Sequence, residues 1–265
     1  MNIDEKIVKL ATDYVDKYDI EDATGTSLAT LVDNILVQPE NFKKRILSQE
    51  KFIENDQLNK QGLHLFRCMA SEVIIWYERF YNYRNHPLYQ DFDDNGILIL
   101  ENKLDWIKNP GQELWDILSM AAGQKVSPQP FRENVFVHHE NDIQNQLHTD
   151  IFQPNVKSWM YLQDIDLSHG PTYFTYSSHI NDERKLKWLY YVSNLPAGHE
   201  DIREGSFPLK DYKKWGFDDP KPVVGPKGTY FICDTCGFHS RGVAKPGTVR
   251  KTAKLHYRFN PFDLI

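Results

Sequence analysis

A histidine and a carboxylate two residues apart form the clearest chemical pattern in this chain. His148-Thr-Asp150 puts both side chains on one side of an extended segment, because successive side chains of a strand point to opposite faces. Both could therefore bind one ion. His239, 91 residues later, could supply a third ligand from a distant strand. Two histidines and one carboxylate leave open coordination positions, and this ligand set is typical of non-haem iron(II) centres.

Two further His-x-carboxylate triplets occur, and their positions distinguish them from the first. His138-His-Glu140 runs directly into a predicted turn. His199-Glu-Asp201 lies in a loop-rich segment, with too few predicted strands before His239 to face it across a roll of strands. Two predicted strands, a helix and an insertion separate His148 from His239. We therefore predict that the metal ligands are His148, Asp150 and His239.

An arginine eleven residues after His239 indicates a site for a dicarboxylate. Arg250 begins the last predicted strand, and Thr252 lies on the same face of that strand. A guanidinium presents a planar fork that makes paired, charge-assisted hydrogen bonds to a carboxylate. The alternative is a solvated charge at the end of a strand. The spacing from His239 favours the binding role, and we predict Arg250 and Thr252 beside an anionic co-substrate.

The same alternation raises a difficulty further along the last strand. If Arg250 and Thr252 face inward, Lys254 and Arg258 face inward as well. Buried charges without partners are unfavourable in an apolar interior. A bulge or an early exit of the strand from the sheet would remove the difficulty, and the sequence leaves both open.

The elements that must position these residues change character along the chain. Apolar residues recur at helical spacing through the first ninety residues, so we predict a helical extension, residues 1–90, packed on a core, residues 91–265. Asp91–Gly96 has the composition of a turn, and Glu183–Val192 predicts a helix within an insertion, residues 181–222. The predicted strands are Ile97–Leu100, Asn134–His138, Lys157–Leu162, Pro171–Tyr176, Gly228–Cys233, Phe238–Val243 and Lys251–Phe259. This order predicts a mainly β fold with helices (α+β), an antiparallel barrel or double-sheet roll.

Cys233-Asp-Thr-Cys236 has a spacing used both in redox motifs and in zinc sites. A structural zinc site needs four ligands, and no second pair follows at a suitable distance. A redox motif sits where a strand leads into a helix, whereas residues 228–241 predict strand throughout. The favoured interpretation is two small strand residues.

Charge and hydropathy exclude several classes of partner. The net charge is −6 and no basic patch stands out, which disfavours a nucleic-acid partner. The chain has no apolar run of membrane-spanning length and no basic start followed by an apolar stretch. We therefore expect a cytoplasmic protein with a small-molecule substrate.

From Phe92 to Phe262 the chain resembles the phytanoyl-CoA dioxygenase family of iron(II)- and 2-oxoglutarate-dependent oxygenases. The matching pieces, in the family's order, are Asp94–Leu100, His148-Thr-Asp150, Trp159–Asp164, Gly170 with Ser178-His179, and His239 followed by Arg250. The resemblance implies a double-stranded β-helix (jelly-roll) core with iron(II) at the three predicted metal ligands. It also implies that Arg250 binds the far carboxylate of 2-oxoglutarate and that Trp159 forms a wall of the co-substrate site.

Two departures from the family's pattern concern the substrate side. Arg241 stands where the family usually has a small hydroxylic residue, and Tyr176-Ser-Ser-His179 replaces Pro-Gly-Ser-His. Neither change touches a predicted metal ligand. We assign Arg241 and His179 as candidate substrate residues, with an ordinary loop cation as the alternative for Arg241.

The resemblance implies a dioxygenase that hydroxylates a C–H bond of a small molecule. The implied cofactors are Fe(II), 2-oxoglutarate and O₂, with succinate and CO₂ as products and ascorbate as a stimulant. The motifs Glu204-Gly-Ser-Phe207 and Thr235–His239 resemble those of bacterial relatives that accompany glycan-building enzymes, and this resemblance implies a sugar or lipid-linked substrate. The alternatives are a cupin-type metal enzyme that does not use 2-oxoglutarate, a non-catalytic binding protein on the same fold, and a nucleic-acid demethylase, which the acidic balance disfavours.

Overall fold

The structure is a computed structural model, and it describes residues 75, 78–137, 143–150, 155–193, 199 and 207–258. Most of the predicted helical extension, residues 1–90, lies outside the described residues, as do the triplet that begins at His138 and part of the predicted insertion, residues 181–222. The division of the chain near residue 90 stays a prediction. Residues 78–83, at the end of that extension, are helical.

The described part of the chain contains ten strands. They are β1 (Ile97–Leu100), β2 (Arg132–Val137), β3 (His148–Thr149), β4 (Asn155–Tyr161), β5 (Thr172–Phe174), β6 (Phe207–Pro208), β7 (Lys221–Pro222), β8 (Tyr230–Asp234), β9 (His239–Arg241) and β10 (Val249–Arg258). They form two five-stranded sheets. The first sheet has the strand order β1-β8-β4-β10-β2, and the second has the order β6-β3-β9-β5-β7. Every pairing is antiparallel. The predicted mainly β fold with a double-stranded β-helix core is confirmed.

Besides the helical residues 78–83, three α-helices have both ends within the described residues: α1 (Tyr89–Asn95), α2 (Gln112–Ala122) and α3 (Glu183–Ser193). The helix predicted at Glu183–Val192 is confirmed as α3. The turn predicted at Asp91–Gly96 is wrong, because these residues end α1. Gly96 terminates that helix with a φ of 72° and donates its N–H to the carbonyl of Phe92 at 2.8 Å. Polar turn residues at the end of a helix resemble those of a free turn, which explains the error.

Helix α2 was not predicted from the sequence. Nearly all of its residues from Leu114 to Ala122 are buried. A helix that is covered on most sides lacks the polar face on which helical periodicity depends. Its side chains pack against the outer face of the first sheet, where the core includes Leu118, Met160, Tyr230 and Leu255.

A second apolar cluster lies between the two sheets. It contains Ile97, Tyr161, Ile165, Phe174, Val223, Phe231 and Cys233, with Trp159 and Tyr176 packed against it. Successive side chains of β4 alternate between the two clusters: Met160 faces the helices, while Trp159 and Tyr161 face the second sheet. The inner face of the first sheet therefore carries the side chains that surround any site inside the barrel.

The register of β10 decides the question of its inward-facing cations. The strand pairs with β2 from Val249 to Lys254 and with β4 from Thr252 to Arg258, without interruption. Neither the predicted bulge nor the early exit occurs between these residues. Lys254 therefore shares the inner face with Arg250 and Thr252, and it is half-buried there.

The two cysteines occupy different elements. β8 ends at Asp234 and β9 begins at His239, so the strand predicted through residues 228–241 is wrong and a turn interrupts it. Cys233 lies on β8, Cys236 lies in the turn, and both are buried. Burial raises the pKa of the Cys233 thiol, which disfavours the reactive thiolate. Cys233 therefore fits the interpretation as a small strand residue.

A buried ion pair joins the helical segment 78–83 to the first sheet. Arg79 and Asp234 are 3.2 Å apart with side-chain exposures of 5% and 3%, and Arg79 also donates to the carbonyl of Ala121 at 3.0 Å. Replacing Arg79 with methionine leaves a buried carboxylate without its partner, so we expect the free energy of unfolding to fall by about 3–5 kcal/mol. Urea denaturation measures the change. The double variant R79M/D234N should lose less than the two single changes together, and a loss below about 1 kcal/mol for Arg79→Met would contradict the pairing.

No helix of the described residues is both long enough and apolar enough to cross a membrane.

Candidate metal centre

One antiparallel pairing brings the two predicted histidine ligands together. β3 and β9 are neighbours in the second sheet, and His148 is directly opposite His239. The two rings lie 4.7 Å apart between centroids. Asp150 follows β3 immediately, and its N–H donates to the carbonyl of Thr235 at 3.3 Å. The strand pairing and this hydrogen bond hold all three residues at one end of the barrel.

Both imidazoles present the same nitrogen toward the third ligand. Nδ1 of His148 lies 2.6 Å from the carbonyl oxygen of Gln146, and Nδ1 of His239 lies 2.9 Å from that of Gly237. A carbonyl only accepts hydrogen bonds, so Nδ1 carries the proton in each ring and Nε2 has a free lone pair. Nε2 of His148 is buried and has no hydrogen-bond partner. A backbone acceptor on the far nitrogen is the usual way in which a metal-binding histidine is oriented.

The two oxygens of Asp150 have different neighbours. Oδ1 lies 3.6 Å from Nε2 of His239. Oδ2 forms a salt bridge with Nζ of Lys157 at 2.5 Å and accepts a hydrogen bond from Nδ2 of Asn155 at 3.2 Å. One oxygen is thus held by the protein while the other faces the histidines. This arrangement suits a carboxylate that binds a metal through a single oxygen.

The three ligand atoms lie within 4.8 Å of one another, and all three side chains are buried. Among the residues that the structure describes, this is the single group of histidine, cysteine and carboxylate side chains that close together. Burial and the neighbouring His239 lower the pKa of His148 to about 4, so its ring is neutral at neutral pH. Burial raises the pKa of Asp150, but His239 and Lys157 outweigh this effect and hold the pKa below its usual range. A neutral imidazole at His148 and an ionised carboxylate at Asp150 are the states in which these two side chains bind a metal.

Arg250 is a buried cation that has no anionic partner among the residues described by the structure. Its exposure is 5%, and no carboxylate within the described ranges forms a salt bridge with it. One terminal nitrogen donates to the carbonyl of Gly170, the guanidinium lies 4.8 Å from the ring centre of Phe136, and Nε has no partner. Burial lowers the pKa of Arg250 to about 10, which still leaves it charged at neutral pH. A buried charge of this kind is costly unless a ligand neutralises it.

Thr252 and Trp159 extend the same inner surface. Thr252 lies two residues beyond Arg250 with an exposure of 1%, and its hydroxyl has no hydrogen-bond partner. Trp159 is half-buried and stacks on Phe231 at 5.1 Å between ring centroids. In the register, Thr252 is opposite Tyr161 and Lys254 is opposite Trp159. The three predicted co-substrate residues, Arg250, Thr252 and Trp159, therefore line the inner face of β4 and β10, which we call the co-substrate face.

The two candidate substrate residues lie in different places. Arg241, on β9, contacts the ring of Phe136 at 5.4 Å, so it shares this ring with Arg250. His179 is buried against α1, where its Nε2 lies 3.1 Å from the carbonyl oxygen of Asp93. A Cβ on Gly96 would lie 2.4 Å from Nδ1 of His179, so the ring fills the space beside that glycine. The substrate role of His179 stays a prediction, and its described contacts are those of a packed side chain.

Lys157 and Asn155 were missed by sequence reasoning, although both contact Asp150. Lys157 was placed only at the start of a predicted strand. Its position two residues before Trp159 was a usable signal, because the two share a strand face. An inward-facing lysine near a predicted carboxylate ligand indicates an ion pair. Asn155 carried no such signal, because it preceded the predicted strand.

Comparison with known proteins gives structural similarity and no family. No protein-family model matches the chain, and no curated protein matches it in sequence. EctD from S. alaskensis is similar to this chain with a TM-score of 0.38 and 14% identity, over 66% of this chain and 76% of EctD. Iron-bound HygX from Streptomyces hygroscopicus has a TM-score of 0.36 and 15% identity, over 66% of this chain and 86% of HygX. EvdMO1 has a TM-score of 0.34 and 16% identity, and the chain spans only 31% of its length.

Similarity at this level does not assign an activity, which must come from the side chains themselves. The fold and the ligand set define a double-stranded β-helix protein with a candidate centre of two histidines and one carboxylate.

Proposed function

We propose that this protein is an iron(II)- and 2-oxoglutarate-dependent dioxygenase that hydroxylates a C–H bond of a small molecule. The observation that carries the proposal is the uncompensated buried charge of Arg250, inside the same barrel as the candidate metal centre. A metal centre alone fits many enzymes on this fold. A buried guanidinium that no carboxylate of the described residues neutralises indicates a dianionic co-substrate, which would bind the metal through one end and the arginine through the other.

The unpaired polar atoms fit such ligands. Nε2 of His148 supports a metal, while Nε of Arg250 and the Thr252 hydroxyl support a carboxylate, since all three atoms are buried without a protein partner. His148, Asp150 and His239 would hold iron(II), and Arg250 with Thr252 would hold the far carboxylate of 2-oxoglutarate. When bound, iron(II) supplies the redox chemistry that converts 2-oxoglutarate and O₂ into succinate and CO₂ while a C–H bond is hydroxylated.

The protein's own groups orient these ligands and exclude water. Lys157 and Asn155 hold Oδ2 of Asp150, which directs Oδ1 toward the histidines. The stacked rings of Trp159 and Phe231 form an apolar wall beside the co-substrate face. Arg241, on the ring of Phe136, adds a second positive charge near Arg250 and would attract an anionic ligand.

The finer assignment to the phytanoyl-CoA dioxygenase family belongs to the same proposal. Its support is the order of His148-Thr-Asp150, His239 and Arg250 along the chain. A small-molecule substrate, with a sugar or lipid-linked metabolite as one class, is also proposed. The cupin-type alternative lacks a reason for the buried charge of Arg250, and we therefore rank it second.

Anaerobic titration tests the proposal. The full chain should bind iron(II), and addition of 2-oxoglutarate should then give the weak visible charge-transfer band of the metal chelate. Admission of O₂ should produce succinate from 2-oxoglutarate, slowly without the substrate. Iron(II) binding with neither a band nor succinate would contradict the proposed co-substrate and favour the cupin-type alternative. Absence of iron(II) binding would contradict the proposal as a whole.

A further inference from the structure

A cavity of about 330 Å³ opens where the edge of β10 runs beyond the start of β2. The last register pair between these strands is Lys254 with Arg132. Beyond it Gln129 covers part of the edge, and its Nε2 donates to the carbonyl of His256 at 3.2 Å. The cavity is lined by Gln129, Pro130, Arg132, Lys254, Leu255 and His256.

The charge of this cavity is positive. Arg132 and Lys254 face it, and none of the six lining residues is acidic. Neither cation forms a salt bridge with any residue that the structure describes. Burial and the nearby Lys157 and Arg132 lower the pKa of Lys254, and Asp150 raises it by a smaller amount. Three cations are therefore close to one carboxylate, which Lys157 already binds. A half-buried lysine in such surroundings is unfavourable unless an anion is present.

The cavity wall connects directly to the candidate metal centre. Nε2 of His256 lies 2.9 Å from Oδ1 of Asn155, whose Nδ2 donates to Oδ2 of Asp150 at 3.2 Å. Two hydrogen bonds through Asn155 thus connect His256, which lines the cavity, to the candidate metal ligand Asp150. Lys254 is also opposite Trp159, which belongs to the co-substrate face. A molecule held in this cavity would lie beside the metal centre.

The cavity is separate from the proposed co-substrate anchor. Arg250 and Lys254 are four residues apart on one face of β10, which corresponds to roughly 13 Å at about 3.3 Å per residue. A co-substrate anchored at Arg250 therefore does not occupy the cavity beside Lys254 and Arg132. These two cations are available to a second anionic ligand.

We infer that Lys254 and Arg132 bind the anionic group, a phosphate or a carboxylate, of the molecule that is oxidised. The description of that molecule as the substrate rests on the proposed function, whereas the anion site itself does not. The substrate class is then an anionic small molecule whose charged group lies in the cavity and whose remainder extends toward Asp150.

Calorimetric titration of the full-length, metal-free protein with inorganic phosphate, and separately with acetate, tests the site. We expect saturable binding of at least one anion, and the tighter of the two identifies phosphate or carboxylate as the recognised group. Lys254→Gln and Arg132→Gln should each weaken this binding about 10- to 100-fold, as expected for the loss of a charge-assisted hydrogen bond. Arg132 is exposed, so its replacement tests the site even if the Lys254 variant is unstable.

Two control variants make the outcome specific. Lys251→Gln removes an exposed charge from the opposite face of the same strand and should leave binding unchanged. Arg250→Met is the second, because the empty co-substrate anchor is itself an anion site, and anion binding that persists in this variant belongs to the cavity. Loss of phosphate binding in Arg250→Met but not in Lys254→Gln would overturn the inference, as would the absence of saturable binding of both anions. The anion titrations contain no iron and are independent of the anaerobic iron(II) titration. A missing charge-transfer band in the latter would reject the proposed function and leave the anion site untouched.

Discussion

Replacing His148 with alanine is expected to lower the affinity for iron(II) by at least about 100-fold and to abolish the charge-transfer band with 2-oxoglutarate. Loss of an outer hydrogen-bond partner of a metal ligand already weakens binding roughly 10- to 100-fold, and a direct ligand should matter more. In the metal-free protein Nε2 of His148 has no protein partner, so the replacement removes from this ring only the local hydrogen bond between Nδ1 and the carbonyl of Gln146. The metal-free variant should therefore keep its cooperative unfolding, which urea denaturation measures beside the anaerobic titration.

His169 provides the matched control for this experiment. It is half-buried in a turn, where its Nδ1 lies 2.8 Å from Oδ1 of Asp166, and it is outside the cluster of candidate ligands. His169→Ala should leave iron(II) affinity and the band unchanged. A band of normal intensity in His148→Ala would show that the metal is held elsewhere, and the assignment of the centre would be wrong.

Replacing Arg250 with methionine is expected to weaken 2-oxoglutarate binding by about 2–5 kcal/mol, roughly 30- to 4,000-fold. The change removes the cation and leaves the far carboxylate of the co-substrate buried without a partner. Iron(II) affinity without 2-oxoglutarate should stay the same, because Arg250 contacts none of the candidate metal ligands. The dependence of the charge-transfer band on 2-oxoglutarate concentration measures the first effect, and a metal titration measures the second.

The stability of the same variant separates a ligand-binding role from a structural one. In the free protein Arg250 is a buried charge without a carboxylate in the described residues, so methionine should leave the free energy of unfolding unchanged or raise it. Arg84→Met, which removes an exposed arginine, is the control for general effects of charge. A large loss of stability together with unchanged 2-oxoglutarate affinity would mean that Arg250 holds the fold and not the co-substrate.

The sequence by itself determined the local features of this protein. The strand positions followed from apolar runs bounded by turn residues, and most of them agree with the structure within a few residues. The shared face of Arg250, Thr252 and Lys254 followed from the two-residue repeat of a strand, which depends on backbone geometry alone. For the same reason the spacing of His148 and Asp150 could be interpreted without knowing what lay opposite.

Features that depend on long-range pairing were decided only by the tertiary structure. The β3–β9 pairing places His148 opposite His239, and no local pattern fixes which distant strands become neighbours. The burial of α2 removed the periodic signal by which that helix could have been predicted. The salt bridge from Lys157 to Asp150 likewise needs β4 to pass beside the end of β3.

The clearest contrast concerns the charges of β10. Alternation alone placed Arg250 and Lys254 on the inner face, and it suggested that the strand would have to bulge or leave the sheet. The structure keeps the strand regular and surrounds the two cations differently. Arg250 is buried against Phe136 without a carboxylate, while Lys254 lies beside a cavity. The direction of a side chain is a local property of the strand, but the presence of an anion, a cavity or an apolar wall beside it depends on how the sheets close around it.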